Sequence, residues 1–145
     1  MIEVRNITKS FDGKVILDDV SAVFDAGKTN LIIGQSGSGK TVLMKSIVGL
    51  LRPDSGEILY DGRDFLKMNN KEVKMLRREI GMLFQGSALF DSETVLGNVM
   101  FPLVMFSDMT HEEMLERAHF CIERVNLKGA DSKYPSEISG GMQKR

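Results

Sequence analysis

The sequence has little of what marks a secreted or membrane-spanning protein. It contains one cysteine, Cys121, so no disulfide can form within the chain, and a reducing compartment is indicated. The longest apolar run, residues 99–106, is interrupted by Pro102, and a spanning helix needs about 20 apolar residues. The start of the chain lacks the basic and then apolar segments of a signal peptide. We therefore expect a cytoplasmic protein that reaches a membrane only through a partner.

An excess of charge of one sign is also missing. The chain has 19 basic and 20 acidic residues and a formal net charge of −1. No global basic field favours nucleic acid or anionic lipid, so we expect no nucleic-acid partner and only a local anion site. The hydrophobic share of 42% and the charged share of 27% are typical of a soluble globular domain.

Apolar patterning predicts strands that alternate with helices. Alternating apolar positions in the first 24 residues predict two strands, with Asp12 and Gly13 as the turn. Short apolar runs predict further strands at residues 29–33, 57–60 and 80–84. This alternation is typical of an α/β fold around a largely parallel sheet.

Three helices are predicted, two between these strands and one after the last strand. Apolar residues on one face predict a helix over residues 40–51. Asn69 or Asn70 is a natural cap for a helix that reaches Arg78. Thr110, with a glutamate three residues later, forms a capping box at the start of a further amphipathic helix.

A glycine-rich segment at residues 34–41 carries the strongest chemical signal. It reads Gly-Gln-Ser-Gly-Ser-Gly-Lys-Thr and matches the phosphate-loop pattern in full. Its glycines let main-chain N–H groups turn toward phosphate oxygens, and the helix behind it adds a positive dipole end. Lys40 supplies charge for the β- and γ-phosphates, and the Thr41 hydroxyl is a candidate Mg²⁺ ligand. The predicted nucleotide contacts are Gly34, Ser36, Gly37, Ser38, Gly39, Lys40 and Thr41.

A second glycine-containing helix start lies near the end of the chain. Residues 138–143, here named the signature segment, read Ile-Ser-Gly-Gly-Met-Gln. Ser139 is a natural N-cap, and Gly140 and Gly141 leave main-chain N–H groups exposed to an anion. Taken alone, Ser-Gly-Gly is also compatible with an ordinary capped helix.

Together with the phosphate loop, this segment makes the chain resemble the ATP-binding-cassette (ABC) ATPases over its whole length. The resemblance implies that Ser139, Gly140 and Gly141 contact the γ-phosphate of ATP held by an opposite subunit, which makes ATP the link of a homodimer. The family pattern usually has glutamine where Met142 stands, and a methionine side chain donates no hydrogen bond there.

Two further residues match the family. Gln85 resembles the glutamine that touches Mg²⁺ or the attacking water and senses the transmembrane partner, so the resemblance gives it and Lys40 catalytic roles. Phe11 resembles the aromatic residue that stacks on adenine, and stacking binds a base without reading its edge. A lone aromatic residue is also compatible with a place in the core. The implied cofactors are ATP and Mg²⁺.

The resemblance also implies a domain organisation. We expect an α/β P-loop NTPase core with an N-terminal antiparallel β-subdomain and the start of a helical subdomain, without the Walker B strand. The expected parts are residues 1–28, 29–85 and 86–145. Because the family places its hydrolytic Asp, Glu and His after the signature segment, we expect a piece of a longer ATPase with negligible turnover by itself. The absent strand would leave residues 31–33 at an unpaired sheet edge.

The segment between the two glycine motifs suggests a subclass. Residues 86–91 and 95–103 look like the ATPases of bacterial Mla-type phospholipid transporters, which names a lipid cargo by analogy only. Residues 87–93, here named the docking rim, are the predicted contact for transmembrane permease subunits on the inner face of the cell membrane. A non-transport ABC ATPase and a non-hydrolysing assembly fragment remain open as alternatives.

Overall fold

The computed structural model describes residues 1–84 and 86–145, and these divide into two compact units, Met1–Gly81 and Met82–Arg145. Gln85, the predicted Mg²⁺ and catalytic residue, lies outside the described residues. The first unit contains β1 (Ile2–Phe11), β2 (Lys14–Phe24), α1 (Lys40–Ile47), β3 (Ser55–Tyr60), β4 (Arg63–Asp64) and α2 (Asn70–Arg78). The second contains α3 (Val95–Phe106), α4 (His111–Arg124) and α5 (Gly140–Gln143). The three-part division expected from the sequence stays a prediction.

The first two strands form the hairpin that the sequence predicts. Asp12 and Gly13 have φ angles of 49° and 79°, and positive φ at both turn positions is what a tight two-residue hairpin requires. The strands pair antiparallel from Phe11 opposite Lys14 onward. The hairpin therefore ends in an exposed tip that carries Phe11.

The sheet is antiparallel throughout, in the order β2-β1-β3-β4, so the largely parallel sheet expected from the sequence is wrong. Residues 29–33 and 80–84 form no strand in the described part of the chain. Leu31 and Ile33 are each 81% exposed, as expected for an unpaired edge. A strand needs a neighbour that takes up its N–H and C=O groups, and none of the described residues supplies one here.

Helix α1 ends one turn earlier than the sequence predicts. Gly49 has a φ of 72°, its N–H donates to the Ser46 carbonyl at 3.1 Å, and the Leu50 N–H donates to the Lys45 carbonyl at 2.9 Å. This is the Schellman arrangement, in which a left-handed glycine closes a helix. A Cβ at Gly49 would lie 2.2 Å from the ring of Phe65, so glycine also makes room for a core aromatic residue.

The core of the first unit lies between the sheet and helices α1 and α2. Its buried members are Val4, Ile7, Leu17, Leu43, Ile47, Ile58, Tyr60, Phe65 and Leu76. The Tyr60 hydroxyl donates to the Ile47 carbonyl at 2.5 Å. Burial raises the pKa of Tyr60 to about 12. The polar end of this tyrosine is thus satisfied inside an otherwise apolar cluster, where an unpaired hydroxyl would be costly.

The predicted cap of α2 and the predicted capping box of α4 are both confirmed, and the cap of α2 is also a capping box. The Asn69 side chain accepts the N–H groups of Lys71 and Glu72 at the start of α2, so Asn69 is the cap and Asn70 is the first helical residue. Thr110 and Glu113 hold the start of α4 in the same reciprocal way.

Helices α3 and α4 pack together around the core of the second unit. Its buried cluster consists of Val95, Ile122, Leu127, Ala130 and Ile138. The first N–H groups of α3, from Val95 and Leu96, donate to the carbonyls of Lys133 and Asp131 at 2.8 and 3.1 Å. These bonds tie α3 to the loop that leads into the signature segment. Of the helices in the described residues, none combines the length and apolar character needed to cross a membrane.

Candidate nucleotide-binding site

The phosphate loop is curled, as its glycines predict. The Ser38 N–H donates to the Gln35 carbonyl at 3.2 Å and closes a turn. Gly37 and Gly39 have φ angles of 81° and 88°, a region that glycine enters at little cost. The main chain of Gly34, Ser36 and their neighbours therefore follows the tight path that a phosphate cradle needs.

Gly39 is where the loop becomes a helix. It is the N-cap of α1, and no side chain of the described residues caps this helix start. A Cβ at Gly39 would lie 3.0 Å from the Ile16 carbonyl oxygen and 3.1 Å from Leu17 Cδ2. Strand β2 thus presses against the loop from behind, and the uncapped N–H groups of the first helical turn stay available for an anion.

The Lys40 ammonium group is held within the loop. Its Nζ donates to the carbonyls of Gly34 and Gln35 at 2.7 and 2.6 Å. Two main-chain acceptors therefore position the charge beside the turn that the glycines form. Phosphate oxygens are stronger acceptors than carbonyls because they are charged, so they can replace these contacts without moving Lys40 away.

Thr41 suits a magnesium ion that is held mainly by phosphates. It lies in the first turn of α1 and is exposed, and its hydroxyl makes no hydrogen bond to another described residue. A hydroxyl oxygen is a hard ligand, and Mg²⁺ takes few protein ligands beside phosphates and waters. Over the described ranges no group of three or more His, Cys, Asp or Glu residues is placed to hold a metal. The exposed Thr41 hydroxyl is thus the one donor among the described residues that we single out for Mg²⁺.

Phe11 stands at the end of β1 with 42% of its surface exposed. The Lys9 ammonium lies 5.4 Å from the centre of its ring, within the range of a cation–π contact. Much of the ring surface is therefore accessible to a stacking base.

The signature segment begins a short helix, as predicted. The Ser139 hydroxyl accepts the Met142 N–H at 3.3 Å and caps α5. Gly140 and Gly141 are exposed. Met142 is half-buried and packs against the core of the second unit, so the residue that departs from the family pattern contributes to packing.

Gln143, for which no role was predicted, links the signature segment to the preceding turn. Its Nε2 donates to the Pro135 carbonyl at 2.8 Å, and its Oε1 accepts the Ser87 hydroxyl at 3.4 Å. Ser87 belongs to the predicted docking rim, so the rim and the signature segment are connected within the second unit.

The docking rim is braced by one residue that the sequence analysis missed. The Asn98 side chain accepts the Phe90 N–H at 2.8 Å and donates to the carbonyls of Phe90, Glu93 and Thr94. Phe90 is 47% exposed, and its ring centre lies 4.6 Å from that of Phe101. The sequence signal that could have indicated this role is that Asn98 is the one amide side chain in the apolar residues 95–106.

Comparison with known proteins assigns the family. The ABC transporter family matches residues 17–145, and the chain belongs to it. One similar relative is the "Probable ribonucleotide transport ATP-binding protein mkl" of Mycobacterium leprae, 42% identical over 99% of this chain and 42% of the relative. Another is the "Intermembrane phospholipid transport system ATP-binding protein MlaF" of Haemophilus influenzae, 40% identical over 100% of this chain and 55% of the relative.

Solved structures confirm the mixed α/β cassette fold. The ATP-binding cassette MJ0796, in a dimeric post-hydrolysis state bound to ADP and Pi, superposes with a TM-score of 0.88 at 31% identity. The match covers 99% of this chain and 65% of that one. The chain thus spans about two fifths to two thirds of the length of these proteins.

Proposed function

We propose that this chain is the ATP-binding part of the ATPase subunit of an ABC transporter. The observation that carries the proposal is the curled loop at residues 34–41. Its Lys40 ammonium is held inside by two carbonyls, and the helix behind it starts without a side-chain cap. Open N–H groups, a dipole end and a fixed cation at one place favour a polyphosphate over any neutral ligand.

Each residue of the site has a distinct part in the proposal. The main chain from Gly34 to Gly39 binds the phosphate oxygens, and Lys40 neutralises the charge on the β- and γ-phosphates. Thr41 holds Mg²⁺, which neutralises charge on the phosphate oxygens when bound. Phe11 stacks on the adenine ring. The geometry of the loop and the exposure of Phe11 support this assignment.

Hydrolysis is proposed for the whole protein, with Gln85 and Lys40 at the reacting phosphate. In that proposal two ATPase subunits close on ATP, and Ser139, Gly140 and Gly141 of one face the triphosphate of the other. The dimeric post-hydrolysis state of the cassette MJ0796 with ADP and Pi supports this arrangement. The protein would act at the inner face of the cell membrane through permease subunits that contact the docking rim.

Phospholipid is the proposed cargo class. The MlaF relative supports it, as does the likeness of residues 86–91 and 95–103 to Mla-type ATPases. Relatives at nearly the same identity are named for ribonucleotide transport and for methionine import, the latter in Carboxydothermus hydrogenoformans at 40%. Reconstitution of the full-length protein with an Mla-type or a methionine-import permease separates these classes, because only the matching permease should stimulate ATP turnover.

A ligand series tests ATP binding directly. Isothermal titration with ATP, ADP, AMP and adenosine in the presence of Mg²⁺ should give similar affinities for ATP and ADP. AMP should bind at least about tenfold more weakly, because it lacks the β-phosphate and with it a charge-assisted contact. A folded protein that binds none of the four, or binds adenosine as tightly as ATP, would contradict the proposal.

A further inference from the structure

Asp54 fastens the strand that carries Phe11. Its N–H donates to the Thr8 carbonyl at 2.8 Å, and its carboxylate accepts the Ser10 N–H at 2.7 Å and the Lys9 ammonium at 2.5 Å. One residue from the turn before β3 thus binds three consecutive residues of β1. No sequence pattern indicates this, because the partners are 44 and 45 residues apart.

These contacts lie where the regular sheet gives way. The β1–β3 ladder ends at the pair Thr8 and Ser55. On the other side of β1, the pairing with β2 shifts its register on both sides of Lys9. Register shifts weaken the ladder locally and bend the strand. Asp54 therefore adds a second hold on the last residues of β1, beside the pairing of Ser10 and Phe11 with β2.

Lys9 links Asp54 to the ring of Phe11, because its ammonium group contacts both. The two residues are alternate positions of β1, so their side chains lie on the same face of the strand. The Lys9 side chain is only 15% exposed, and its ammonium lies over the ring at 5.4 Å from the centre. The hydrogen bonds from Lys9 and then from the Ser10 N–H lower the pKa of Asp54, because both favour the charged carboxylate.

Asp54 also lies close in sequence to the phosphate loop's own helix. It follows the turn that ends α1, and the first turn of α1 is the end of the loop. The same short segment thus connects the helix at the phosphate site with the strand at the base site.

We propose that Lys9 and Asp54 are positioning residues for the nucleobase. They hold the Phe11 ring in a fixed place relative to the phosphate loop, with the ammonium against one face of the ring and the other face left to the base. The inference rests on the proposed ATP site. It adds a pair of residues that act on the base through Phe11 and leave the phosphates untouched.

Comparison of ATP with inorganic triphosphate tests this inference, because triphosphate has no base. Lys9→Met keeps the length of the side chain and removes its charge. We expect it to weaken ATP binding about three- to tenfold, the range of a partly desolvated cation–π contact, and to leave triphosphate binding unchanged. Asp54→Asn should act in the same direction with a smaller effect, and Lys9→Arg should restore most of the ATP affinity.

Matched variants separate positioning from general stability. Lys67→Met removes a lysine of the same unit that pairs with Asp64 and Glu57 and should change neither affinity. In a Phe11→Ala background, Lys9→Met should cause no further loss of ATP affinity. Melting temperatures show whether each variant is folded.

The outcomes distinguish the inference from the function on which it rests. Equal loss for ATP and triphosphate in folded Lys9→Met and Asp54→Asn, or no loss for either, overturns the positioning role while ATP binding stands. An unchanged ATP affinity in Phe11→Ala overturns the stacking of Phe11 on adenine, and with it the positioning role of Lys9 and Asp54. A wild-type protein that binds neither ligand overturns the proposed function itself.

Discussion

The two glycine-containing helix starts of this chain differ in how their main-chain N–H groups are used. Helix α1 starts at Gly39 without a side-chain cap, and Lys40 lies beside its open end. Helix α5 has four residues, and Ser139 already accepts one of its N–H groups. At the start of α1 the first main-chain N–H groups therefore have no side-chain partner within the described residues. At the start of α5, one N–H group already binds the Ser139 hydroxyl.

The side chains around the two starts differ in the same sense. At α1 a cation is placed inside the loop. At α5 the Gln143 amide is occupied by Pro135 and Ser87, and Met142 packs inward. The start of α1 thus has the open N–H groups and the nearby cation that we propose for polyphosphate binding, whereas the start of α5 has one N–H group already bound by Ser139.

Removal of the cation should have the largest effect. Lys40→Ala should weaken ATP binding by about 3–4 kcal/mol, or a few hundredfold, because two charge-assisted hydrogen bonds to phosphate are lost. Isothermal titration measures this. Lys45→Ala, at the other end of α1, should leave the affinity within about twofold. A Lys40→Ala protein that binds ATP normally would contradict the proposed difference between the two helix starts.

Substitution of alanine for a glycine should lower the free energy of unfolding more at the start of α1 than at the start of α5. Gly39→Ala should cost about 2–3 kcal/mol, because left-handed φ strains alanine and the added methyl group crowds Ile16 and Leu17. Gly140→Ala has open space around it and should cost at most about 0.5 kcal/mol. Urea denaturation compares the two variants. Equal costs would show that the two helix starts are packed alike.

Loss of the serine cap should have a smaller and local effect. Ser139→Ala should destabilise the start of α5 by about 1 kcal/mol, seen as faster amide exchange at Met142. The ATP affinity of this chain should not change, because its own phosphate loop is intact. A fall in ATP affinity close to that of Lys40→Ala would mean that the signature segment contributes to the same site.

The smallest effect is expected from acid. Hydrogen bonds from Thr110 lower the pKa of Glu113 from 4.5, and those from Lys9 and Ser10 lower the pKa of Asp54 from 3.8. Because the unfolded chain takes up these protons first, each carboxylate stabilises the fold above its ordinary pKa and loses this contribution as the pH falls through the lower folded value.

The α4 cap in the second unit should therefore begin to weaken below pH 4.5, and the Asp54 tie in the first unit only below pH 3.8. Carboxyl chemical shifts followed by NMR measure both titrations. Glu113→Gln and Asp54→Asn should each remove the corresponding part of the pH dependence. Titration of either group at or above its ordinary value would contradict the hydrogen bonds described here.

Features set by neighbouring residues could be predicted from the sequence. The Asp12–Gly13 turn, the caps at Asn69 and Thr110 and the curl of the phosphate loop all depend on a few consecutive residues, so the local pattern is sufficient. Helix α3 was not predicted, because its residues are apolar on nearly every side and give no helical period.

Features that depend on distant partners could not be predicted. Residues 29–33 and 80–84 have strand-like composition, but a strand forms only beside another strand, and the described residues offer none there. The contact of Asp54 with Lys9 and Ser10 is equally invisible in a linear pattern. The sequence thus indicated which residues form the candidate site. The long-range contacts that hold those residues in place could be found only in the structure.

The two carbonyl contacts of Lys40 have a consequence for how fast a nucleotide can bind. Because the ammonium already occupies its working place, an arriving triphosphate has only to exchange one set of acceptors for another, and no loop has to be ordered first. Association should then be limited by diffusion and by local charge, with a rate that falls as salt screens Lys40. Differences in affinity among nucleotides would appear mainly as differences in their residence time.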